Sequence, residues 1–267
     1  MTRRPLPDGD LRFDARRLFG RDPRGYDKGR PDYPERVYDV LVERCGLRAG
    51  ASVLEIGPGT GRVTRRLAGL GARVVAIEPD PVLAARLRAL DGSVAEVIDG
   101  TFEEIALPQE RFDLAVGAMS FHWVDPSIGL PKIGQAVRRG GFVALWWTSY
   151  GDESRPDPFD EAISPAVRRF IPDDAGAPPI ELDVAWWKNG LAAQAGLVDV
   201  AAELIPWTAR FDIDSLAAFY GSMIAVRRLA ADARRELLAT ITSVAEGEFG
   251  GTVERPFVTA VYTGRRP

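Results

Sequence analysis

Cysteine and histidine are almost missing from this chain of 267 residues, which carries one of each, Cys45 and His122. One cysteine precludes an intrachain disulfide and a multi-cysteine zinc site, and one histidine precludes a paired-histidine metal motif, so no metal is expected. Long apolar runs are also lacking. No stretch approaches the length that crosses a bilayer, and the first ten residues are basic without the apolar centre of a secretory signal, so a cytoplasmic protein with no membrane partner is expected. Charge of one sign is not concentrated anywhere. The net charge is −4, and the arginine pairs at 65–66, 138–139, 227–228 and 234–235 fall on helix-patterned segments, where solvated faces explain them and no nucleic-acid partner is implied. The chain is 46% hydrophobic and long enough for one full core with insertions or a cap, as a monomer or homodimer.

Glycine is concentrated at one informative place. In Ala51 to Thr64 a buried-type strand runs into Gly57, Gly59 and Gly61, at alternate positions. Glycines there accept positive φ and admit a ligand close to the backbone, while the following helix offers free N–H groups. A dinucleotide fingerprint needs its third glycine three positions after the second, but Arg62 stands there, and counting from Gly59 fails at Thr64, which argues against NAD. An ordinary glycine-rich strand-to-helix turn is the alternative. A second Val-rich strand ends in Glu78-Pro79-Asp80, with Glu78 21 residues after Gly57. At the carboxyl end of such a strand a carboxylate can accept from both hydroxyls of a ribose, or serve only as a surface acid before a helix-starting proline.

Along the chain, short apolar runs alternate with helical spacing, the pattern of a parallel sheet covered on both faces: an α/β, doubly wound, Rossmann-like core. Strands are expected at 52–57, 73–78, 93–98, 112–119 and 141–148, and helices at 61–68, 81–90 and roughly 128–139. Asp80-Pro81 opens the second helix, Asp125-Pro126 is a further N-cap, and Arg139-Gly140-Gly141 is expected to close the third with a left-handed glycine. After Tyr150 the composition turns to Asp, Pro and Gly, with an amphipathic piece at 159–170, then a helix at 184–195, a strand at 201–211, strong helical pattern at 215–245 and a last strand at 254–263. The organisation expected is a core at 1–150, a lid at 151–182, core helix and strand at 183–212, a helical cap at 213–248 and a last core strand at 249–267. The lid and cap either roof the ligand crevice or form a fixed stabilising layer.

Glu55, Gly57, Gly59 and Gly61, as Glu-x-Gly-x-Gly-x-Gly, resemble the first motif of class I S-adenosylmethionine (AdoMet) methyltransferases. Segments 98–103, 112–114, 121–125 (Phe-His-Trp-Val-Asp) and 139–142, with Arg30-Pro31-Asp32-Tyr33-Pro34, extend the resemblance to a small-molecule branch, that of the trans-aconitate methyltransferase-like (methyltransferase type 11) proteins. The resemblance implies a seven-stranded, mostly parallel sheet with an added helical cap and the last strand antiparallel at the edge. It also implies AdoMet as cofactor. Glu55, Gly57, Pro58, Gly59 and Gly61 would meet its methionine part, Glu78 and Pro79 its ribose, Thr101 and Phe102 its adenine, and Ala118 and Met119 the adenine or sulfonium. Many relatives carry an acid where this chain has Thr101, so Asp99 or a backbone carbonyl would take over the adenine amino group. Tyr26, Arg30 and Tyr33 would reach the cofactor's carboxylate, or form only an aromatic and Arg-Pro packing element.

The function implied is methyl transfer to an oxygen or nitrogen of a small molecule, a carboxylic acid or an aromatic secondary metabolite. A sulfonium methyl is already activated, so transfer needs alignment, desolvation and at most one proton acceptor. His122 is the candidate general base, with a role in shaping the pocket as the alternative. Tyr33, Trp123, Trp147, Tyr150, Tyr220 and Met223 are the expected substrate-facing residues, and strand alternation means that Trp146 and Trp147 cannot share a face. The other readings are an AdoMet-fold enzyme of natural-product biosynthesis that catalyses a different reaction, and a noncatalytic AdoMet-binding module.

Overall fold

The structure, a computed structural model, describes residues 23–90, 92, 94–172 and 182–267. The stretch 173–181 of the expected lid and the first 22 residues lie outside the described residues. In chain order the elements are α1 (Pro23–Gly29), α2 (Glu35–Glu43), β1 (Ser52–Ile56), α3 (Arg62–Gly69), β2 (Arg73–Glu78), α4 (Pro81–Arg88), β3 (Glu96–Asp99) and β4 (Phe112–Ala118). They continue with a 3-10 turn (Phe121–Trp123), α5 (Pro126–Ala136), β5 (Val137–Ser149), α6 (Pro158–Phe170), α7 (Val184–Ala193) and β6 (Val198–Asp212). Between β6 and the last strand, β7 (Thr252–Arg265), come α8 (Ile213–Gly221), the single turn α9 (Ile224–Arg227) and α10 (Ala231–Phe249).

The seven strands lie in the order β3-β2-β1-β4-β5-β7-β6. The first five are parallel, and β7 runs antiparallel to both of its neighbours. After β1 the chain moves toward β2, whereas after β4 it moves toward β5, so the carboxyl ends of β1 and β4 flank a topological switch point where a crevice must open. Local signals set the helices that border it. Asp80 accepts from the N–H groups of Val82 (2.8 Å) and Leu83 (3.2 Å) ahead of α4, and Asp125 accepts from Ser127 N–H (2.9 Å) ahead of α5.

Two expectations are corrected. The last strand is not at the edge: β7 lies between β5 and β6 because Phe257, Ala260, Val261 and Tyr262 are buried and need cover on both sides, while β6 takes the edge and leaves Leu204 half exposed. Nor do Gly140 and Gly141 cap a helix. The helix ends at Ala136, Val137 already pairs with Phe112 in the sheet, and Gly140, with φ +75°, donates its N–H to Arg266 O (2.9 Å) inside an irregular start of β5.

Apolar residues of the two sheet faces form separate cores. Leu54, Ile56, Val75, Ile77 and Trp147 pack under α5 and α7 on one face, and Val53, Val74, Val116 and Trp146 pack against α2 and α3 on the other. A third core of Phe159, Ile163, Phe211, Phe219, Leu237, Ile241 and Phe257 binds α6, α8 and α10 to the long β6–β7 ribbon. Within it, Arg255 is buried and pairs with Asp157 (2.7 Å) and Asp160 (2.6 Å) at the start of α6.

Candidate functional site

The turn after β1 takes the left-handed region at alternate residues, with φ of +65° at Gly57, +59° at Gly59 and +83° at Gly61. The three glycines serve different ends. A Cβ on Gly57 would lie 2.7 Å from Ser120 Cβ, and one on Gly61 would lie 2.6 Å from Leu90 Cδ1, so these two allow the turn to pack against β4 and α4. A Cβ on Gly59 would meet nothing within 4 Å. That open space faces the crevice, the opening a ligand needs to approach the backbone.

Glu78 ends β2 and is nearly fully buried, yet its carboxylate is held by the turn itself: Gly59 N–H donates to Oε2 (3.0 Å) and Asp80 N–H to Oε1 (3.0 Å). One cavity joins this carboxylate to Tyr26, Tyr33, Glu55, Gly57, Pro58, Gly59, Pro79, Phe102, Ala118, Met119 and Trp123, all anticipated from the sequence, and to Thr60, Arg62, Leu83, Glu103, Ser120 and Val124, which were not. Glu55 is buried beneath the turn. Burial pushes its carboxyl from 4.5 to about 7, with the nearby charge of Glu78 adding to the rise and the hydrogen bond from Thr64 Oγ1 (2.6 Å) opposing it. Burial likewise holds the Tyr33 hydroxyl well above its usual value, so it stays protonated.

At the end of β4 the backbone is strained. Met119 has φ +50°, which for a residue with a side chain costs on the order of 1 kcal/mol. Its N–H donates to Trp146 O (2.9 Å), its sulfur accepts from Thr148 N–H (3.0 Å), and the next residue, Ser120, donates its hydroxyl to Ile56 O (2.5 Å). Met119 is thereby turned toward the boundary between two cavities. The second is smaller and shares Tyr26, Tyr33, Arg62 and Met119 with the first, adding Arg30, Pro31, Thr148, Tyr150 and Trp207.

Several anticipated residues stand elsewhere. Gly61 lines neither cavity and serves packing. Thr101 donates to Glu104 Oε2 (2.8 Å) within its own turn, and Asp99 is engaged by Arg88 (2.8 Å). The acid that does reach the cavity is Glu103, whose Oε1 accepts from Asp125 N–H (3.1 Å). Trp147 is fully buried between Trp187, at a centroid separation of 4.1 Å, and Tyr262, and donates its Nε1–H to His122 Nδ1 (2.8 Å). His122 lines neither cavity, and the lone pair a base would use at Nδ1 is taken by this tryptophan, which argues against the general-base role. Tyr220 is buried in the cap core with its oxygen accepting from Arg255 Nη1 (2.6 Å), and Met223 packs against the same core; neither lines either of these two cavities.

Arg62 is the main residue that sequence reasoning missed. It follows the glycine turn and is drawn inward by the carbonyls of Asp27 (3.1 Å) and Arg30 and by Asp32 Oδ1 (2.5 Å). Its position immediately after Gly61 was the available signal, but a first-turn arginine usually reads as solvated.

Residues 54–145 match the methyltransferase domain family. An uncharacterized methyltransferase of Mycobacterium tuberculosis is 36% identical over 138 residues, 52% of this chain and 55% of the relative, so the chain spans about half the length of that relative. Among solved structures, a protein of Anaeromyxobacter dehalogenans provisionally described as a type II methyltransferase shares the fold with a TM-score of 0.64 and 24% identity, covering 88% of this chain and 97% of that one. A 4+2 cyclase also shares it, with a TM-score of 0.57 and 15% identity over 100% of this chain and 99% of that one. The fold therefore does not by itself fix the reaction. The matched segment, with the glycine turn and a buried acid at its switch point, is similar to the domain of class I S-adenosylmethionine-dependent methyltransferases.

Proposed function

We propose that this protein transfers a methyl group from AdoMet to an oxygen or nitrogen of a small molecule, carboxylic acids and aromatic metabolites being the acceptor classes. The observation that carries the reading is the crevice at Gly59: a left-handed backbone with nothing over it within 4 Å, next to a buried carboxylate held by two backbone N–H groups. When bound, AdoMet supplies a methyl group already activated by the sulfonium. Glu78 would accept from the ribose hydroxyls, Pro79, Leu83 and Phe102 would flank the adenine, and Glu103 would accept from its amino group, in the role expected of Asp99 or a backbone carbonyl. Arg62 and Glu55 bring opposite charges to the methionine end. Met119, Tyr26 and Tyr33 separate the cofactor cavity from the smaller one and thus define where an acceptor meets the methyl group.

With His122 Nδ1 accepting from Trp147, the chain's contribution is alignment and exclusion of water rather than proton abstraction. Calorimetry tests the reading: AdoMet and S-adenosylhomocysteine should bind and NAD should not. Glu78→Ala should weaken AdoMet by about 1.5 to 3 kcal/mol, the range for hydrogen bonds to a charged group. Unchanged affinity in that variant would refute the ribose assignment.

A further inference from the structure

Arginines near the crevice are matched with acids: Arg62 with Asp32, Arg86 with Asp27 and Arg66 with Glu35. Arg30 is not. Its guanidinium carbon lies 4.6 Å from the ring centroid of Tyr150, 5.3 Å from that of Tyr26 and 5.4 Å from that of Phe219, and among the described residues no ion pair is made by Arg30. Its Nε and Nη1 are shielded from solvent and have no hydrogen-bond partner among the described residues. Aromatic faces attract the charge but accept no directed hydrogen bond from these donors in the ring plane. A desolvated cation with open donors is costly unless an anion completes it.

The location says which anion. Arg30 lines the smaller cavity and not the one over the glycine turn, while Tyr26, Tyr33 and Met119 line both. We propose that Arg30 anchors a carboxylate of the methyl acceptor, an inference that rests on the methyl-transfer reading above. Pairing with a guanidinium ties up carboxylate lone pairs, so the anchored group is a spectator and the atom methylated is a second one. The acceptors are then bifunctional: small acids that carry a separate hydroxyl, amine or carboxylate, with a flat or apolar body against Tyr150 and Trp207.

The test uses the full chain, wild type and the variants Arg30→Gln and Arg30→Lys, with circular dichroism to verify folding. S-adenosylhomocysteine affinity is measured by calorimetry. Methyl transfer from radiolabelled AdoMet is measured with 4-hydroxybenzoate and 4-aminobenzoate against their carboxamides. Expected results are unchanged S-adenosylhomocysteine affinity within about threefold, and an acid-over-amide preference in kcat/KM of about tenfold or more in wild type. That preference should vanish in Arg30→Gln through a raised KM and partly return in Arg30→Lys. A tenfold loss of S-adenosylhomocysteine affinity in Arg30→Gln overturns the proposal, because Arg30 would then hold the cofactor's own carboxylate, and equal use of acids and amides by wild type also overturns it. If wild type binds no S-adenosylhomocysteine, the methyl-transfer reading fails separately. In that case, or if no probe is methylated, calorimetry with 4-hydroxybenzoate decides: saturable binding in wild type that is lost in Arg30→Gln supports the anion site, and no saturable binding in wild type overturns it.

Discussion

The crevice above β1, β2 and β4 and the cap above β6 and β7 hold their shapes by opposite means. At the crevice the backbone is in left-handed conformations at Gly57, Gly59, Gly61 and Met119, and the acids Glu55 and Glu78 are buried beside it. The cap is ordinary dense packing, with Phe219 stacked on Phe257 at 5.8 Å and Tyr150 edge-on to Phe219 at 5.0 Å, tied by the buried Arg255. The left-handed φ of Met119 and the burial of Glu55 are unfavourable in the protein alone, whereas the glycines take their conformations without steric cost. Cap features are favourable in themselves, and through Tyr150 and Phe219 they also position Arg30. One region presents chemistry, and the other stabilises the fold and shapes the second cavity.

The strongest way to break this division is Arg255→Met. Removing one partner of a buried pair leaves Asp157 largely desolvated and should lower unfolding free energy by about 4 kcal/mol, read by urea denaturation. Hydrogen exchange should quicken in α6 and α10 while S-adenosylhomocysteine affinity stays within about threefold. An equal loss of that affinity would mean that the two regions are not separable. Next is a glycine pair inside the crevice. Gly57→Ala, which meets Ser120 as well as the left-handed φ, should cost about 3 kcal/mol of stability. Gly59→Ala faces only the φ and should cost about 1 kcal/mol while weakening AdoMet at least tenfold. Equal stability losses at the two positions would remove the distinction between packing and ligand glycines.

Glu55 sharpens the comparison through pH. Its folded carboxyl titrates at about 7 against 4.5 in the unfolded chain, so the folded state holds its proton longer. Its contribution is fully present below pH 4.5 and is lost as pH rises to about 7, for a fall of at most about 3 kcal/mol. Glu55→Gln should flatten this fall, measured by denaturation at several pH values across that window. AdoMet affinity in wild type should rise through the same window, because the ionised carboxylate favours the cofactor's ammonium. The smallest effect is expected at His122→Gln. Glutamine can still accept from Trp147 Nε1, so stability should change by less than about 1 kcal/mol and turnover by less than about threefold. A hundredfold loss of turnover, with AdoMet affinity intact, would restore His122 as a base.

Much of this arrangement was legible in local sequence. The strand–glycine–helix passage at 52–69, the cap at Asp80 and the cap at Asp125 depend on residues within a few positions of one another, so composition and spacing suffice. Met119 and Trp123 were placed at the crevice because they follow strand ends, and Phe102 because of the family resemblance; all three line the cavity. Tyr220 and Met223 were misread because an aromatic or methionine in a cap helix has the same spacing whether it faces a ligand or the cap's own core. Trp147 was misread for a related reason: alternation separates it from Trp146 but does not say which face is open, and here both faces are closed.

Hydrophobic period and backbone conformation are properties of short segments, so local sequence sufficed for the sheet class, the glycine turn and an acid at the end of the next strand. Packing over long sequence distances put β7 inside the sheet, brought Glu103 rather than Asp99 to the cavity, set Trp147 on His122 Nδ1, and placed Arg30 among aromatic rings with no ion pair among the described residues. Those facts depend on which distant residues are brought within a few ångströms, and charged or aromatic side chains carry no local mark of the partner they will meet.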